Sequence, residues 1–419
     1  MPEPHASAPV LGVAPRVGVL RAYAATLGPG LVAMLADTDA GSVMTAAQSG
    51  AEFGYGFLLF QLAVIPVMYV AQELGLRLAL GTGRGMGELV RARFGPAASV
   101  VVTAVLAISC FGALVTQLSG LAAVGQLLDI PVWQTIAVAV AGISVMVVTG
   151  SYHSVERIAI FFGAFELVFV FAAWKSHPDL PQLAAGIGAM PIHDPRYLYL
   201  FAANLGTSVI PWAIFYQQSA VVDKGLKLSH LRLARIDTLV GALICQIVTS
   251  GILITVAANA GQGGSAAADV RAFAEMFQHA LGARSGTLLF GAGLMGSALV
   301  ATVVVSLASA WAIGEATGLR HSLEHHPKDA PWFYASFVAL LAAGGVYVAS
   351  GVNLVRLTIA IGVLNAVLLP VILLFLFLLA RSELPPSLKP SGVTGLATAI
   401  LLAAISAVGL YTGLVGAFG

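Results

Sequence analysis

Charged residues are scarce in this chain. Only 9% of its 419 residues are Asp, Glu, Lys or Arg, whereas soluble domains carry about 25%, so a soluble globular domain is excluded. The net charge of +1 gives no electrostatic reason to expect a nucleic-acid partner. The two cysteines, Cys110 and Cys245, lie far apart in apolar segments, so neither a disulfide framework nor a zinc site is implied.

The sequence also lacks the common catalytic motifs. It contains no phosphate-binding loop, no His-Glu-x-x-His and no Gly-x-Ser-x-Gly. An intramembrane aspartyl protease needs two acids on different helices, but Asp37 and Asp39 lie two residues apart on one segment. We therefore expect neither an enzyme nor a cofactor.

Long apolar segments dominate instead. Hydrophobic residues make up 58% of the chain and the mean hydropathy is +0.93, which predicts an all-α polytopic membrane protein in contact with the lipid bilayer. The longest connections are near 175–193 and 261–284. About eleven transmembrane helices are predicted, near 27–49, 55–79, 97–128, 131–150, 155–174, 194–223, 235–260, 285–316, 331–350, 353–380 and 393–417.

The basic residues predict the orientation in the plasma (inner) membrane. With the N-terminal tail, residues 1–26, in the cytoplasm, 15 of the 20 Lys and Arg residues lie on the inside. The five on the outside are Lys175, Arg196, Arg271, Arg284 and Arg356. Because positively charged loops resist translocation, this bias favours eleven spans with the C-terminus outside.

Two predicted spans are interrupted by polar residues. Span 1 contains Asp39-Ala-Gly41-Ser42, and span 6 contains Gly206-Thr207-Ser208 shortly before Pro211. A pair of broken helices at corresponding positions is typical of inverted-repeat transporters, which bind their substrate at the midplane. The spacing predicts one transporter domain over 1–419, with repeats at about 27–174 and 194–380 and an extra helix at about 393–417.

The break in span 1 is a candidate cation site. A carboxylate, freed backbone carbonyls and hydroxyls form an oxygen-rich cage that suits hard cations. Asp39 lies at the break and is the first candidate ligand; the alternative is a cap on the second half-helix. Ser42 and Thr207 are either ligands or bonded to their own backbone. Asp37 either lines the access path or pairs with a basic group.

Two further polar residues lie in apolar spans. Asn365 in span 10 is a candidate ligand, and the alternative is an interhelical hydrogen bond. Glu166 in span 5 is either a proton-titrating group or an acceptor for a neighbouring hydroxyl or amide. Ionisable groups at membrane depth are costly and usually functional.

The chain resembles the Nramp family of divalent metal transporters. The resemblance is carried by Leu27-Gly-Pro-Gly30, Phe53-Gly-Tyr55, Arg77-Leu-x-x-Gly81-Thr-Gly83-Arg84, Gly206-x-x-x-x-Pro211, Gln218-Ser-Ala220 and Leu369-Pro370. It implies a LeuT-like inverted repeat of helices 1–5 and 6–10 with broken helices 1 and 6. It also implies that a divalent cation is the substrate and that no cofactor is required.

The candidate ligands depart from the family pattern. The family carries Asp-Pro-Gly-Asn at the first break, and this chain has Asp39-Ala-Gly-Ser42. The family's metal-binding Asp matches Asp39, and its Asn is replaced by Ser42. Its metal-binding Met falls at Ile210. Since a thioether favours softer transition metals, its loss removes that preference.

The family's proton route is also altered. Its histidines in span 6 fall at Trp212 and near Gln217, and its acids in span 3 fall at Leu114 and Gln117. None of these residues titrates near neutral pH. The chain thus looks like a divergent branch, similar to Nramp-related magnesium transporters, and we expect Mg²⁺ or Mn²⁺ transport with weak or no proton coupling.

Two other functions remain open from the sequence. One is an amino-acid or other organic-solute carrier of the same fold, since half-helix N-termini can hold a substrate carboxylate. Against it, Asp39 repels such a carboxylate unless a cation screens it. The other is a transport-inactive membrane sensor, because the family's metal site is depleted.

Overall fold

The computed structural model describes residues 28–149, 152–188, 190–260, 269–317, 329–351 and 353–418. The predicted cytoplasmic tail, 1–26, lies outside these ranges. All regular secondary structure within them is helical. The first half contains α1 (Pro29–Asp37), α2 (Ala40–Phe53), α3 (Leu58–Thr82), α4 (Met86–Leu127), α5 (Val132–Thr149), α6 (Tyr152–Gly163), α7 (Leu167–Lys175) and α8 (Leu180–Ile187). The second half contains α9 (Pro195–Ser208), α10 (Pro211–Asp223), α11 (Leu231–Asn259), α12 (Val270–Leu281), α13 (Ala283–Thr317), α14 (Pro331–Ala349), α15 (Leu354–Ser382) and α16 (Gly392–Phe418).

Each predicted span corresponds to one helix or to two half-helices. Spans 1, 5 and 6 are the pairs α1–α2, α6–α7 and α9–α10. Among the described residues, nine helical stretches are long and apolar enough to cross a membrane, and α5 contributes a shorter apolar stretch, Val132–Val148. The predicted connections near 175–193 and 261–284 are not simple loops, because they contain the short helices α8 and α12.

Helix α4 begins well before the predicted third span. Gly95 has a φ of +85° and a ψ of −179°, values that glycine adopts without steric cost. Pro96 follows and starts the second part, because proline favours the first position of a helix. The helical run is therefore two helices that meet at a kink, and the second one is the predicted span 3.

Helices α9 and α15 pack with their backbones almost in contact. A Cβ atom placed on Gly206 would lie 1.9 Å from the Gly362 carbonyl oxygen and 2.6 Å from the Ala366 nitrogen. Small residues are favoured where membrane helices approach this closely. The contact fixes the last turn of α9, which carries Thr207, against the tenth span.

Candidate functional site

The first span is broken between α1 and α2. Thr38 ends α1 with φ −79° and ψ 50°, and Asp39 is extended with φ −81° and ψ 176°. The Ser42 backbone N–H donates to Asp39 Oδ1 at 2.7 Å, so Asp39 caps α2 in the usual N-cap manner. Its side chain is only 3% exposed, which places a capping carboxylate in the protein interior.

The sixth span is broken between α9 and α10. Val209 and Ile210 leave the helical conformation, with ψ values of 85° and 133°. Pro211 then begins α10. Because proline has no backbone N–H, the break leaves the last carbonyls of α9 without helical partners.

Ser42 joins the two breaks. Its hydroxyl lies 2.6 Å from the Asp37 carbonyl oxygen and 2.9 Å from the Thr207 carbonyl oxygen, so its one proton is shared between the two acceptors. Thr45 Oγ1 lies 3.2 Å from Thr207 Oγ1. Ser42 thus bonds to backbone, as one sequence interpretation predicted, but it bridges two spans in doing so.

Gln117 of α4 completes the surroundings of Asp39. Its Nε2 donates to Asp39 Oδ2 at 2.6 Å, and its Oε1 accepts from the Ala40 backbone N–H at 3.0 Å. The side chain is fully buried. One amide therefore holds both the carboxylate and the first residue of α2, across a third span.

The two breaks bring together partial charges of both signs and one full negative charge. The C-terminal ends of α1 and α9 carry partial negative charge there, and the N-terminal ends of α2 and α10 carry partial positive charge. The Asp39 carboxylate accepts hydrogen bonds from the Ser42 N–H and from Gln117, and its full charge favours a cation over an anion. Within the described ranges no group of three or more His, Cys, Asp and Glu residues is arranged to hold a metal. A cation here would thus be held by one carboxylate and neutral oxygens.

The sequence model of the family described as Nramp, natural resistance-associated macrophage protein-like, matches residues 30–414. This chain belongs to that family. It is similar to the divalent metal cation transporter MntH 1 of Pseudomonas aeruginosa, with 26% identity over 311 residues that cover 69% of each chain. This agrees with the prediction of a membrane transporter rather than an enzyme.

Two solved structures share the fold of this Nramp-like chain. One is the Eremococcus coleocola manganese transporter in complex with an aromatic bis-isothiourea substituted compound. It is 16% identical, with a TM-score of 0.77, and the match covers 97% of this chain and 90% of that chain. The other is Mhp1, a nucleobase-cation-symport-1 family transporter, at 15% identity and a TM-score of 0.61, covering 93% and 90%. The predicted LeuT-like architecture with two broken helices is confirmed.

The positions predicted from the family's ligands and histidines do not all meet at the break. Ile210 is buried and immediately precedes α10, where its carbonyl accepts from the backbone N–H groups of Ala213 and Ile214. Trp212 is fully buried and its Nε1 has no hydrogen-bond acceptor. Gln217 donates to Thr238 Oγ1 of α11 at 2.6 Å. Its contact is with the seventh span, not with Asp39.

Asn365 forms the interhelical hydrogen bond that was its alternative interpretation. Its Oδ1 accepts from Ser109 Oγ of α4 at 2.8 Å. Asn365 is 3% exposed and Ser109 is fully buried. This bond joins the third and tenth spans and uses one of the two lone pairs of that oxygen.

Asp37 and Glu166 are buried acids with unsatisfied oxygens. Asp37 is 1% exposed and its Oδ1 has no hydrogen-bond partner. Glu166 is fully buried in the 3₁₀ turn Ala164–Glu166, and neither of its oxygens accepts a hydrogen bond, although Thr38 lies beside it. Among the described residues neither acid forms an ion pair with a basic side chain within 4 Å, the arrangement that was one alternative for Asp37.

The sequence interpretation missed a polar chain that continues from Thr207 along α9. Thr207 Oγ1 donates to the Asn204 carbonyl at 3.2 Å. Asn204 Nδ2 donates to Ser49 Oγ at 2.7 Å, and Gln61 Nε2 donates to Asn204 Oδ1 at 3.3 Å. A signal was present, because residues three apart share a helix face, and Asn204 precedes Thr207 by three.

Proposed function

We propose that this protein carries a hard divalent cation, Mg²⁺ or Mn²⁺, by alternating access, with weak or no coupling to protons. As a member of the Nramp-like family it is a divalent metal cation transporter, and the metal is its substrate rather than a cofactor. The observation that carries the proposal is the buried Asp39 carboxylate at the first helix break, next to Ser42, whose hydroxyl contacts the carbonyl oxygens of Asp37 and Thr207 from the two breaks. The inner membrane and a cytoplasmic N-terminus are part of the same proposal, and rest on the distribution of basic residues.

The proposed ligands are all oxygen atoms. Each Asp39 oxygen accepts one hydrogen bond and keeps a lone pair for a metal ion. The carbonyls of Asp37 and Thr207 become available once the Ser42 hydroxyl turns to bind the ion through its own oxygen. Asn365 remains a proposed ligand on the same terms, because its Oδ1 accepts one hydrogen bond from Ser109 and keeps a lone pair. A site with few protein ligands suits Mg²⁺, which keeps several of its waters.

Ile210 supports the preference for a hard ion. Its side chain is hydrocarbon and buried beside the second break, at the position where the family has a methionine. Without a thioether, the site has no soft ligand to favour softer metals over Mg²⁺. We expect wild-type protein to take up Mg²⁺ as readily as Mn²⁺.

Gln117 supports weak proton coupling. It stands where the family has an acid and donates a hydrogen bond to Asp39. A carboxamide releases no proton at physiological pH, so the pair Asp39–Gln117 has no second titrating partner. Asp37 and Glu166 are the remaining buried acids near the break. The measurement of proton flux decides whether either of them carries protons during metal transport.

The function is tested with purified protein in liposomes that contain a Mg²⁺- or Mn²⁺-sensitive dye, with internal pH followed in parallel. We expect entry of both ions without matching acidification. Ile210→Met introduces a thioether, and we expect it to shift competition toward Mn²⁺ by about tenfold, the effect of about 1.4 kcal/mol. Val209→Met, one residue away, is the control. Acidification in step with metal entry would disprove the uncoupled mechanism. An absence of flux for both ions would favour the organic-solute carrier or the sensor.

A second measurement concerns Gln117. Gln117→Leu removes both of its hydrogen bonds at the break, and we expect at least a tenfold loss of flux, because the Asp39 oxygen and the Ala40 N–H each lose a buried partner. Gln117→Glu places a second carboxylate beside Asp39, where two acids share a proton, and we expect metal entry to become pH-dependent. Gln246→Leu is the matched control, since Gln246 bonds to Met68 sulfur instead. Equal losses in Gln117→Leu and Gln246→Leu would contradict the assignment.

A further inference from the structure

The N-terminal end of α1 is held by one carboxylate from another span. Asp237 of α11 accepts hydrogen bonds from the backbone N–H groups of Gly30 at 2.8 Å, Leu31 at 3.2 Å and Gly28 at 3.3 Å, all through Oδ2. Asp237 is 2% exposed. The first N–H groups of a helix have no partner within the helix. Asp237 therefore caps α1 from another helix of the same chain.

The two glycines at this end allow the close approach. A Cβ atom on Gly30 would lie 2.8 Å from Asp237 Oδ2 and 2.8 Å from Thr238 Oγ1. Gly28 has a φ of +142°, and a Cβ atom there would lie 1.8 Å from Glu156 Oε1. The Gly-Pro-Gly sequence that resembles the family motif therefore packs against side chains of two other spans, Asp237 and Thr238 of the seventh and Glu156 of the fifth.

The end of α10 contacts the same region. Lys224, which follows α10, forms an ion pair with Glu156 at 2.9 and 3.0 Å. The side chains are 5% and 10% exposed. Gln217 of α10 donates to Thr238, the neighbour of Asp237. Both half-helices on this side of the breaks, α1 and α10, are thus tied to the beginning of α11 or to the start of the fifth span.

The other two half-helices are joined on the opposite side. Arg196 of α9 binds Glu52 of α2 through Nε at 2.8 Å and through a terminal nitrogen at 2.7 Å. Between these two anchors Asp39, Ser42 and Thr207 are only 3%, 2% and 5% exposed. These three side chains are buried, and α1 packs on α11 at the Gly28 end, so separation of α1 from α11 would open the site on that side.

We propose that Asp237 is a positioning residue that holds α1 closed, and that its release from the backbone of Gly28, Gly30 and Leu31 opens the ion site on that side. The other end of α1 supplies the Asp37 carbonyl that faces Ser42. A movement of α1 therefore opens the path and withdraws a proposed ligand in one step. The role of this contact in transport rests on the proposed function. The position of α1 itself is measured without any transported ion.

The test uses the accessibility of the contact between α1 and α11. Met34 of α1 is fully buried, and a Cβ atom on Gly241 of α11 would lie 2.8 Å from the Met34 Cβ and Cγ atoms. A Met34→Cys reporter therefore becomes accessible when α1 leaves α11. The background carries Cys245→Ala and keeps Cys110, which is buried in α4 and reports on unfolding. Labelling by a maleimide is followed at each cysteine by mass spectrometry on purified full-length protein.

In the Asp237→Asn variant we expect at least tenfold faster labelling at the position 34 reporter, with Cys110 unreactive. Asparagine retains one acceptor oxygen but loses the charge that strengthens the three hydrogen bonds. The matched control is Glu52→Gln, which weakens the opposite anchor and is expected to leave this labelling rate within twofold. Metal flux in liposomes is expected to fall in both variants, so flux alone does not distinguish them.

Unchanged labelling in Asp237→Asn, or equal acceleration in Glu52→Gln, would overturn the proposal. If Cys110 also reacts in Asp237→Asn, that variant is partly unfolded and Asp237→Glu is used instead. This substitution keeps the charge and adds one methylene. We expect several-fold faster labelling of the position 34 reporter, with Cys110 unreactive. No acceleration in that variant overturns the proposal as well. Failure of metal transport in wild-type protein, with the labelling pattern intact, would refute the proposed function and leave the role of Asp237 in place.

Discussion

Replacing Asp39 by Asn is expected to lower metal flux by about 100-fold or more. Removal of one partner from a buried charged contact costs about 2–5 kcal/mol, and each 1.4 kcal/mol is a factor of about ten. Asparagine keeps Oδ1, so the Ser42 N–H retains its acceptor and α2 keeps its cap. Its Nδ2 replaces the Oδ2 that accepts from Gln117 Nε2, so that hydrogen bond is lost together with the charge. The expected loss therefore combines weaker ion binding with the lost Gln117 contact, and Gln117→Leu reports the size of the second effect. The loss is measured as Mg²⁺ and Mn²⁺ entry into liposomes at equal amounts of folded protein.

Asp269→Asn is the matched control for this substitution. Asp269 also caps a helix, with its Oδ1 3.3 Å from the Arg271 N–H at the start of α12, but it lies at the protein surface. We expect flux within about twofold of wild type, as is usual for surface positions. Wild-type flux in Asp39→Asn would remove Asp39 from the proposed site. Equal losses in both variants would show that the effect of Asp39→Asn is not specific to the proposed ion site.

Gly206→Ala is expected to have the largest effect on stability. The added methyl group would lie 1.9 Å from the Gly362 oxygen and 2.6 Å from the Ala366 nitrogen, and both are backbone atoms of α15. Neither can turn aside, so α9 and α15 must separate. Overpacking costs about 1–3 kcal/mol, and more where backbone must move. We expect a Tm lowered by several degrees or no recoverable folded protein, measured by thermal unfolding in detergent.

Gly142→Ala provides the comparison. Gly142 lies in α5, and a Cβ atom there would meet no heavy atom within 4 Å. Since alanine favours a helix over glycine by about 1 kcal/mol, we expect an unchanged or slightly raised Tm. Equal melting of the two variants would mean that the α9–α15 approach does not limit stability. Because Thr207 follows Gly206 directly, any folded Gly206→Ala protein is also expected to show reduced flux.

The broken helices themselves were predictable from local chemistry. Asp39 and Gly41 favour a cap and a break, and Pro211 cannot continue a helix from the residues before it. Such signals act within a few residues, so they are visible in one sequence. The apolar composition likewise required helices, since backbone groups in lipid must be satisfied within the segment. Even the step from Thr207 to Asn204 follows from a spacing of three along α9.

The partners of these residues were not predictable in the same way. Gln117 lies 78 positions from Asp39 and bonds to it, whereas Gln217, chosen by the same resemblance, bonds to Thr238. Asn365 and Thr207 were candidates of the same kind, yet Asn365 bonds to Ser109 and Thr207 reaches Ser42.

The sequence by itself thus determined the helical membrane fold, the two breaks and the charge at the first one. Only the tertiary structure decided which groups surround Asp39 and Ser42, because the rotation and register of each helix are set by packing against the others. Contacts such as that of Gly206 with Gly362 fix that register, and no local pattern in the chain records it.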